Sequence, residues 1–305
     1  MKLDQKRNFE ALLGDTFGFL RETGLHFFPT LLRTNFLYLL GMALFAYFAF
    51  SYGHQERLDF IPGIHGHLDW GGWRPIGQEL TSQFGLTRWG LLGLSVCLGL
   101  LAVGALVFAA YTPSYMILYR REGRAPAFRT IVSFIRSRAG RLVVYFLGIL
   151  LLGIPVVAVC VPLFILLVFS IVGIALIPFI LLVLMMMSVL LLYAYLDDDK
   201  PGFFEAIDRA WNRLKSSFLQ NIMCNGIIYI VTGLFGVIPS VVASVFDAVP
   251  APHVVFIGMA GALVILVLHL IISSLYSVNI GLIYYSGAEK DQSFWDGFRQ
   301  NSLDR

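Results

Sequence analysis

The sequence predicts an all-α integral membrane protein, with six transmembrane helices arranged as three hairpins and amphipathic helices at the cytoplasmic interface. Of its 305 residues, 58% are hydrophobic and only 13% are charged, whereas about a quarter of the residues in soluble proteins are charged. The mean hydropathy is +0.77. Six apolar stretches are long enough to cross a hydrocarbon core, which takes about 20 helical residues.

The six predicted spans belong to one membrane domain, residues 1–305. They lie near residues 34–52, 89–119, 142–169, 171–196, 218–246 and 254–285. Spans three and four divide the uncharged stretch 142–196, which is too long for a single crossing. Gly173 is the predicted corner, because glycine is a common turn residue. Pro155, Pro162 and Pro178 fall inside this hairpin and predict kinks.

The distribution of basic residues predicts the orientation. Segments 1–33, 120–141, 197–217 and 287–305 contain 19 of the 22 lysines and arginines. Because cytoplasmic loops of membrane proteins are enriched in these residues, both termini are expected in the cytoplasm, and residues 53–88 form an extracytoplasmic loop. Cys97, Cys160 and Cys224 all fall inside spans, so no disulfide is expected.

An internal repeat is indicated at the three boundaries where the chain returns to the cytoplasm. At each, a tyrosine closes the span and a phenylalanine follows nine positions later. The pairs are Tyr119 with Phe128, Tyr195 with Phe204, and Tyr285 with Phe294. Three such pairs at equivalent boundaries suggest a repeated unit of interfacial helix, outward span and returning span.

Amphipathic helices are expected after the first two of these boundaries, because apolar residues recur there at helical spacing. The first set is Phe128, Ile131, Val132 and Ile135, and the second is Phe204, Ile207, Trp211, Leu214 and Phe218. Pro201 suits the first turn of the second helix. The aspartates at 197–199 and Glu205 complement its dipole, although three clustered carboxylates could instead bind a divalent cation.

Two stretches carry a resemblance to a known family: DDDKPGFFEAIDRAWNRLKSSF at 197–218 and FEALLGDTFGFLRETGLHFFPTLL at 9–32. With them the chain resembles, over nearly its whole length, the six-span membrane domain that precedes some bacterial glycerophosphodiester phosphodiesterases, and its stand-alone relatives. The resemblance implies a bacterial inner membrane. No catalytic residues are expected to carry over, because the phosphodiesterase domain is a soluble barrel of roughly 250 residues, for which the six spans leave no room.

A basic cytoplasmic segment, 120–141, is the first candidate site. It has seven arginines and one acid, Glu122, for a net charge of +6. The arginines are Arg120, Arg121, Arg124, Arg129, Arg136, Arg138 and Arg141. Interleaved with apolar residues, they predict a helix on the membrane surface that contacts anionic lipid. They also enforce topology, and their place at the membrane boundary argues against nucleic-acid binding.

Polar residues inside the membrane form the second candidate site. No Asp, Glu, Lys or Arg falls well inside any predicted span, which argues against ion-coupled transporters, proton pumps and voltage sensors. Spans five and six instead carry neutral polar stripes: Asn221, Asn225 and Thr232 on one, and His269, Ser273 and Tyr276 on the other. Facing each other, the stripes predict interhelical hydrogen bonds. The alternative is a polar cleft for a lipid headgroup, centred on His269.

The third candidate is the loop segment GIHGHLDWGGW at 63–73. In an extended chain His65, His67 and Asp69 would share one face and could form part of a zinc shell. The pattern resembles the HxHxDH motif of metallo-β-lactamase-like hydrolases, but Trp70 stands where the last histidine is required. Trp70 and Trp73 favour a loop anchored at headgroup level instead.

The predicted function is therefore that of a multi-pass inner-membrane protein which is not an enzyme and needs no cofactor. It is expected to act as an accessory or scaffold that binds membrane lipids, anionic on the cytoplasmic face, or a partner protein. The alternative is permeation of lipid or a small neutral molecule between spans five and six. A weaker third hypothesis is an extracytoplasmic metal-dependent activity at His65 and His67.

Overall fold

The computed structural model describes residues 3–53, 88–197, 202–235 and 251–286. All regular structure in these ranges is helical, in agreement with the predicted all-α class. The helices, in chain order, are α1 (Phe9–Thr34), α2 (Phe36–Gly53), α3 (Arg88–Glu122), α4 (Phe128–Ser137), α5 (Ala139–Val168), α6 (Ile171–Asp197), α7 (Phe203–Lys215), α8 (Phe218–Phe235) and α9 (Ala251–Ser286).

Four helices of the described chain are long and apolar enough to cross a membrane. Their apolar parts are Leu92–Glu122 in α3, Ala139–Val168 in α5, Val172–Asp197 in α6 and Leu263–Ser286 in α9. A fifth candidate is α1 taken together with the start of α2. The multi-pass membrane character is thus supported, with four or five candidate spans where the sequence predicts six. The apolar part of α8, Phe218–Val231, is shorter.

The chain divides into two compact units. Unit 1 comprises Met1–Thr34, Leu106–Phe235 and Leu270–Arg305, and unit 2 comprises Asn35–Ala105 and Gly236–His269. Within unit 2, α2 and α3 approach closely at Gly104, where an added Cβ would lie 2.6 Å from Cβ of Tyr38. A glycine is therefore required at this crossing.

The interior of unit 1 contains an aromatic cluster between α1 and α3. The ring of Phe27 lies 5.2 Å from Tyr111 and 4.9 Å from Tyr115, both edge-on. Phe19 packs 5.4 Å from Tyr119 in the same manner. The Tyr111 hydroxyl donates to the Phe27 carbonyl at 2.7 Å. Edge-to-face packing with the hydroxyl satisfied makes this a stable anchor for α1.

A two-residue turn at Phe169 and Ser170 joins α5 to α6. Gly173, the predicted corner, lies three residues after this turn, in the first turn of α6. Its N–H donates to the Ser170 hydroxyl at 2.9 Å, so the serine begins the helix as an N-terminal cap does. A Cβ at Gly173 would collide with the Leu167 carbonyl, which explains the glycine by space rather than by turn conformation.

The outer surface of α5 is apolar. Its large exposed side chains include Leu151 at 66%, Ile154 at 64% and Leu166 at 70%. The three prolines lie inside the helices as predicted, Pro155 and Pro162 in α5 and Pro178 in α6. A surface of this kind is unfavourable in water and favourable against lipid tails.

The amphipathic helix α4 buries Ile131, Phe134 and Ile135. Val132, predicted on the same face as Ile131, is 39% exposed instead. At 100° per residue, positions 131, 134 and 135 share one side of a helix, and 132 falls beside it. The inner face of α4 therefore includes Phe134, which the predicted set omitted.

The second amphipathic helix, α7, splits its predicted apolar set between two faces. Leu214 is buried beside two small residues, Ala206 and Ala210. Phe204 is 79% exposed and Trp211 41% exposed. Small side chains allow α7 to pack closely against its neighbours, while the aromatic residues remain on the outer surface. Glu205 lies in the first turn of α7, as predicted. Its carboxylate accepts a hydrogen bond from the Gly202 N–H at 3.3 Å.

Candidate functional site

Three side chains from distant parts of unit 1 meet around Arg120, which lies one residue after Tyr119 at the end of α3. The Arg120 Nε donates to the Asp4 carboxylate at 2.8 Å, and Nη1 donates to Asp197 at 3.3 Å. The guanidinium carbon lies 4.9 Å from the centre of the Tyr285 ring. Asp4, Arg120, Asp197 and Tyr285 are called the arginine clasp below. It ties the ends of α3, α6 and α9 to the N-terminal segment.

Neighbouring residues reinforce the clasp. Arg121 Nη2 donates to the Asp197 carbonyl at 2.9 Å, and the Tyr119 hydroxyl donates to Glu22 on α1 at 3.2 Å. All three tyrosines of the predicted repeat lie near these helix ends and are buried, with Tyr119 at 4%, Tyr195 at 7% and Tyr285 at 0% exposure. The repeat tyrosines therefore serve as interior contacts at the ends of α3, α6 and α9.

The N-terminal segment is held by a second arginine, Arg7, whose side chain has 0% exposure. Its Nε donates to Asp15 at 2.7 Å and its Nη1 donates to the Leu3 carbonyl at 2.7 Å. Gln220 on α8 donates to the Arg7 carbonyl at 3.0 Å. A buried guanidinium needs such partners, so Arg7 fixes residues preceding α1 against α8.

The seven candidate lipid-binding arginines fall into two groups, those that contact other protein groups or are half-buried and those that are exposed. Arg120 and Arg121 are engaged with protein groups. Arg138 stacks on the Phe134 ring at 3.9 Å, and Arg141 is half-buried in the first turn of α5. Arg124, Arg129 and Arg136 are exposed. The Arg124 side chain is 84% exposed and lies 3.9 Å from Glu122, which makes that ion pair weak.

An open pocket of about 500 Å³ lies where α3 ends and α4 begins. Leu118 of α3 and five residues of α4 line it: Arg129, Thr130, Ser133, Phe134 and Ser137. The lining thus combines one cation, three hydroxyls and two apolar side chains, and no carboxylate is among these six residues. The chain reaches α4 through Gly123, which has a φ of +67°, a conformation that favours glycine.

Two cation–π contacts lie beside the pocket, both on the ring of Phe134. The guanidinium of Arg138 lies 3.9 Å from the centre of the Phe134 ring, and that of Arg121 lies 5.9 Å from it. The Ser137 hydroxyl donates to the Phe134 carbonyl at 2.8 Å. Arg121 and Arg138 thus lie against Phe134, a wall of the pocket that Arg129 also lines, and this local excess of cations favours an anionic ligand.

The intramembrane polar residues of unit 1 form a second group. Asn279 Nδ2 donates to Asn225 Oδ1 at 3.1 Å, and the Thr16 hydroxyl donates to Asn279 Oδ1, also at 3.1 Å. The Cys224 thiol lies 3.4 Å from the same oxygen. Asn279 thus joins α1, α8 and α9. Asn279 was not among the predicted site residues, although it lies one turn after Tyr276 on the predicted stripe.

Other residues of the predicted stripes have separate roles. Asn221 Nδ2 lies 3.4 Å from the Leu214 carbonyl, at the end of α7. Tyr276 is buried and close to Asn225, yet neither its hydroxyl nor the Asn225 amide nitrogen makes a hydrogen bond of normal geometry within the described residues. His269 belongs to unit 2 and has an exposed side chain, and Ser273 is half-buried in unit 1.

Some predicted residues lie outside the described part of the chain. These are His65, His67, Asp69, Trp70 and Trp73 of the loop, Asp198, Asp199 and Pro201 before α7, the side chain of Thr232, and Phe294 of the third repeat pair. Within the described ranges, no three His, Cys, Asp or Glu side chains come together as a metal site would require. The zinc hypothesis at the loop residues stays a prediction.

Comparison of the chain with protein-family models, with curated proteins and with solved structures finds no match. The structure itself defines the class of protein: all-helical over the described residues, with several helices able to cross a membrane. The resemblance to the membrane domain of glycerophosphodiester phosphodiesterases stays a prediction.

Proposed function

We propose that the protein is a non-enzymatic, six-span protein of the bacterial inner membrane that binds anionic lipid at its cytoplasmic face. One observation carries the proposal: α4 buries its apolar side in unit 1 and exposes Arg129 and Arg136, with Arg124 just before it. In the predicted orientation these cations lie at the headgroup level, where each basic residue contributes about 1 kcal/mol of attraction to an anionic surface.

The outer surface of α7 supports the same placement. Phe204 and Trp211 are exposed there beside charged residues of the helix. Aromatic residues of this kind concentrate at membrane interfaces, because their rings suit the boundary between headgroups and tails. Lys215 lies 5.2 Å from the Trp211 ring, which keeps a cation beside the aromatic surface. Helices α4 and α7 would then rest on the same leaflet, as the internal repeat predicts.

Lipid retained through purification tests the proposal. The variant Arg124→Gln/Arg129→Gln/Arg136→Gln removes three exposed cations, and the matched Arg→Lys triple variant keeps their charge. Native mass spectrometry of each should show phosphatidylglycerol depleted relative to phosphatidylethanolamine in the Gln variant only. Equal lipid profiles for all three proteins would contradict lipid binding, and a co-purified protein on the wild type alone would favour a scaffold for a partner protein.

Thiol labelling tests the proposed orientation. In a background with all three native cysteines replaced, Ser216→Cys reports the segment after α7 and Gly71→Cys reports the loop 53–88. A membrane-impermeant maleimide should label Gly71→Cys in intact cells, and Ser216→Cys only after permeabilisation. Labelling of both from outside would contradict the six-span arrangement, because three predicted spans, an odd number, separate the two positions and place them on opposite sides of the membrane.

A second candidate function is permeation of a lipid or small neutral molecule beside α8 and α9. It is favoured by the buried Asn225 amide nitrogen and Tyr276 hydroxyl, two donors left without good hydrogen bonds among the described residues. Vesicles containing the purified protein should then scramble fluorescent lipid, and Asn225→Leu should abolish scrambling while the protein stays folded. Absence of scrambling by the wild type would remove this candidate.

A further inference from the structure

The pocket between α3 and α4 has the chemistry of a phosphate site at membrane depth. We propose that it holds the phosphodiester of one anionic glycerophospholipid, with Arg129, Thr130 and Ser133 as the groups that bind the phosphate. This inference rests on the proposed function and deepens it, because it replaces general attraction between arginines and an anionic surface with a single, defined site.

The position of the pocket matches the level of a headgroup. Leu118, one of its walls, lies four residues before the end of α3, whose apolar part ends at Glu122. The remaining walls belong to α4, which begins at Phe128, five residues after Gly123. A ligand in the pocket therefore lies beside the end of an apolar helix, where the phosphate of a bilayer lipid is found.

The donors on its walls match a phosphate. Arg129 offers a planar fork of N–H groups that can bind two phosphate oxygens at once. Thr130 and Ser133 are three residues apart on α4, so their hydroxyls lie on one side of the helix and can donate to the same group. Ser137 is one further turn along, but its hydroxyl already donates to a backbone carbonyl.

The electrostatic surroundings favour an anion over a neutral or cationic ligand. None of the six lining residues is acidic. Arg121 and Arg138 flank Phe134 from outside the lining, and Arg129 and Thr130 belong to the first turn of α4, the positive end of its dipole. No acidic side chain occupies that first turn.

The shape of the pocket favours a lipid over a free anion. At about 500 Å³ and open on one side, it is larger than a phosphate ion needs, and Leu118 and Phe134 give it an apolar wall. A diacyl lipid can place its phosphate against Arg129 and its glycerol against these two side chains while its tails remain in the bilayer. A soluble phosphate gains nothing from the apolar wall.

The test compares two single variants that remove the same charge from the same helix. Arg129→Gln changes the pocket, whereas Arg136→Gln changes an exposed arginine that is not among the lining residues. The full-length proteins are purified in neutral detergent and titrated with short-chain phosphatidylglycerol, and binding is followed by native mass spectrometry. Short-chain phosphatidylcholine and inorganic phosphate are titrated in parallel as competitors.

The proposal expects Arg129→Gln to weaken phosphatidylglycerol binding about tenfold, equivalent to about 1.4 kcal/mol. Arg136→Gln should weaken it less than about twofold, because a neutral micelle offers no anionic surface to attract an exposed arginine outside the pocket. Thr130→Val/Ser133→Ala should also weaken binding with the net charge unchanged, and it keeps the test decisive if Arg129→Gln fails to fold. Arg129→Lys should restore only part of the affinity, because an ammonium lacks the fork.

Other outcomes separate the site from the general function. Equal losses for Arg129→Gln and Arg136→Gln, with no loss for the hydroxyl variant, would overturn the pocket and leave a diffuse anionic-lipid surface. Displacement by millimolar inorganic phosphate as effective as by lipid would overturn the lipid assignment. If the wild type bound phosphatidylcholine and phosphatidylglycerol equally, both the site and the proposed function would be wrong.

Discussion

Replacing Arg120 with glutamine should destabilise unit 1, because one side chain joins the ends of three long helices to the N-terminal segment. Arg120 donates to Asp4 at 2.8 Å and to Asp197 at 3.3 Å, and it stacks on Tyr285 at 4.9 Å. Glutamine keeps much of the length but loses the charge, so both ion pairs and the cation–π contact are lost together.

The magnitude follows from the exposure of each partner. The Asp4 side chain is 36% exposed and the Asp197 side chain is 16% exposed. Water screens the first pair, whose contribution we set below about 1 kcal/mol. A partly buried charged hydrogen bond, as to Asp197, contributes about 1.5–3 kcal/mol, and we take the lower end because the distance is long. Arg120→Gln should therefore cost about 2–3 kcal/mol, Asp197→Asn about 1–2 and Asp4→Asn less than about 1.

The assay is reversible unfolding in mixed micelles, with helicity followed by circular dichroism and the free energy of unfolding compared between variants. Arg136→Gln, an exposed cation on α4, is the matched control and should change stability by no more than about 0.5 kcal/mol. The double variant Arg120→Gln/Asp197→Asn should cost less than the sum of the single variants, because the two residues interact directly. Equal stability of Arg120→Gln and Arg136→Gln, or a larger cost for Asp4→Asn than for Asp197→Asn, would contradict the stabilising role assigned to Arg120 and Asp197.

Three further predictions concern the interior of unit 1, each measured by the same unfolding assay. Asp15→Leu should cost about 3 kcal/mol because it removes the carboxylate that pairs with the buried guanidinium of Arg7. If Arg7→Met/Asp15→Leu is no more stable than Asp15→Leu, the buried charge is not the cause. Asn279→Leu should cost about 1–3 kcal/mol, since it removes the partner of polar groups on two other helices; an unchanged stability would show that these bonds contribute nothing net. Gly281→Ala should cost about 1–3 kcal/mol, because the added Cβ would lie 2.5 Å from a buried sulfur and a buried tyrosine oxygen. The control Gly153→Ala should be tolerated, because there is open space at its Cβ. Equal effects of the two variants would contradict the overpacking at Gly281.

The sequence-based prediction of the fold succeeded where it depended on one-dimensional patterns. The apolar length of α5 and α6 and the helical spacing of α4 are local properties, and the structure has helices at these places. It was wrong at Gly173, because the corner was assigned from turn propensity, whereas the helix start depends on the Ser170 side chain and the space beside Leu167. Six spans were predicted, and four or five are supported by the described helices.

The candidate site was predictable in composition but not in arrangement. The cluster of seven arginines is visible in the sequence, and so are the hydroxyls of α4. Arg120 and Arg129 look alike there, yet Arg120 is engaged by Asp4 and Asp197 while Arg129 lines an open pocket. The difference depends on partners 116 and 77 residues away from Arg120, and spacing along the chain carries no information about contacts at such separations.

Composition and short-range periodicity were enough to predict a helical chain that is apolar enough for a membrane, because both properties depend on residues close together in the sequence. The tertiary structure alone decided which polar groups hold the fold and which remain available. Arg7 and Asn279 are buried, and Arg120 is paired with Asp4 and Asp197, only because segments distant in sequence come together. The physical reason is that a polar side chain in an apolar interior must be matched by a partner, and the position of that partner is set by packing rather than by local sequence.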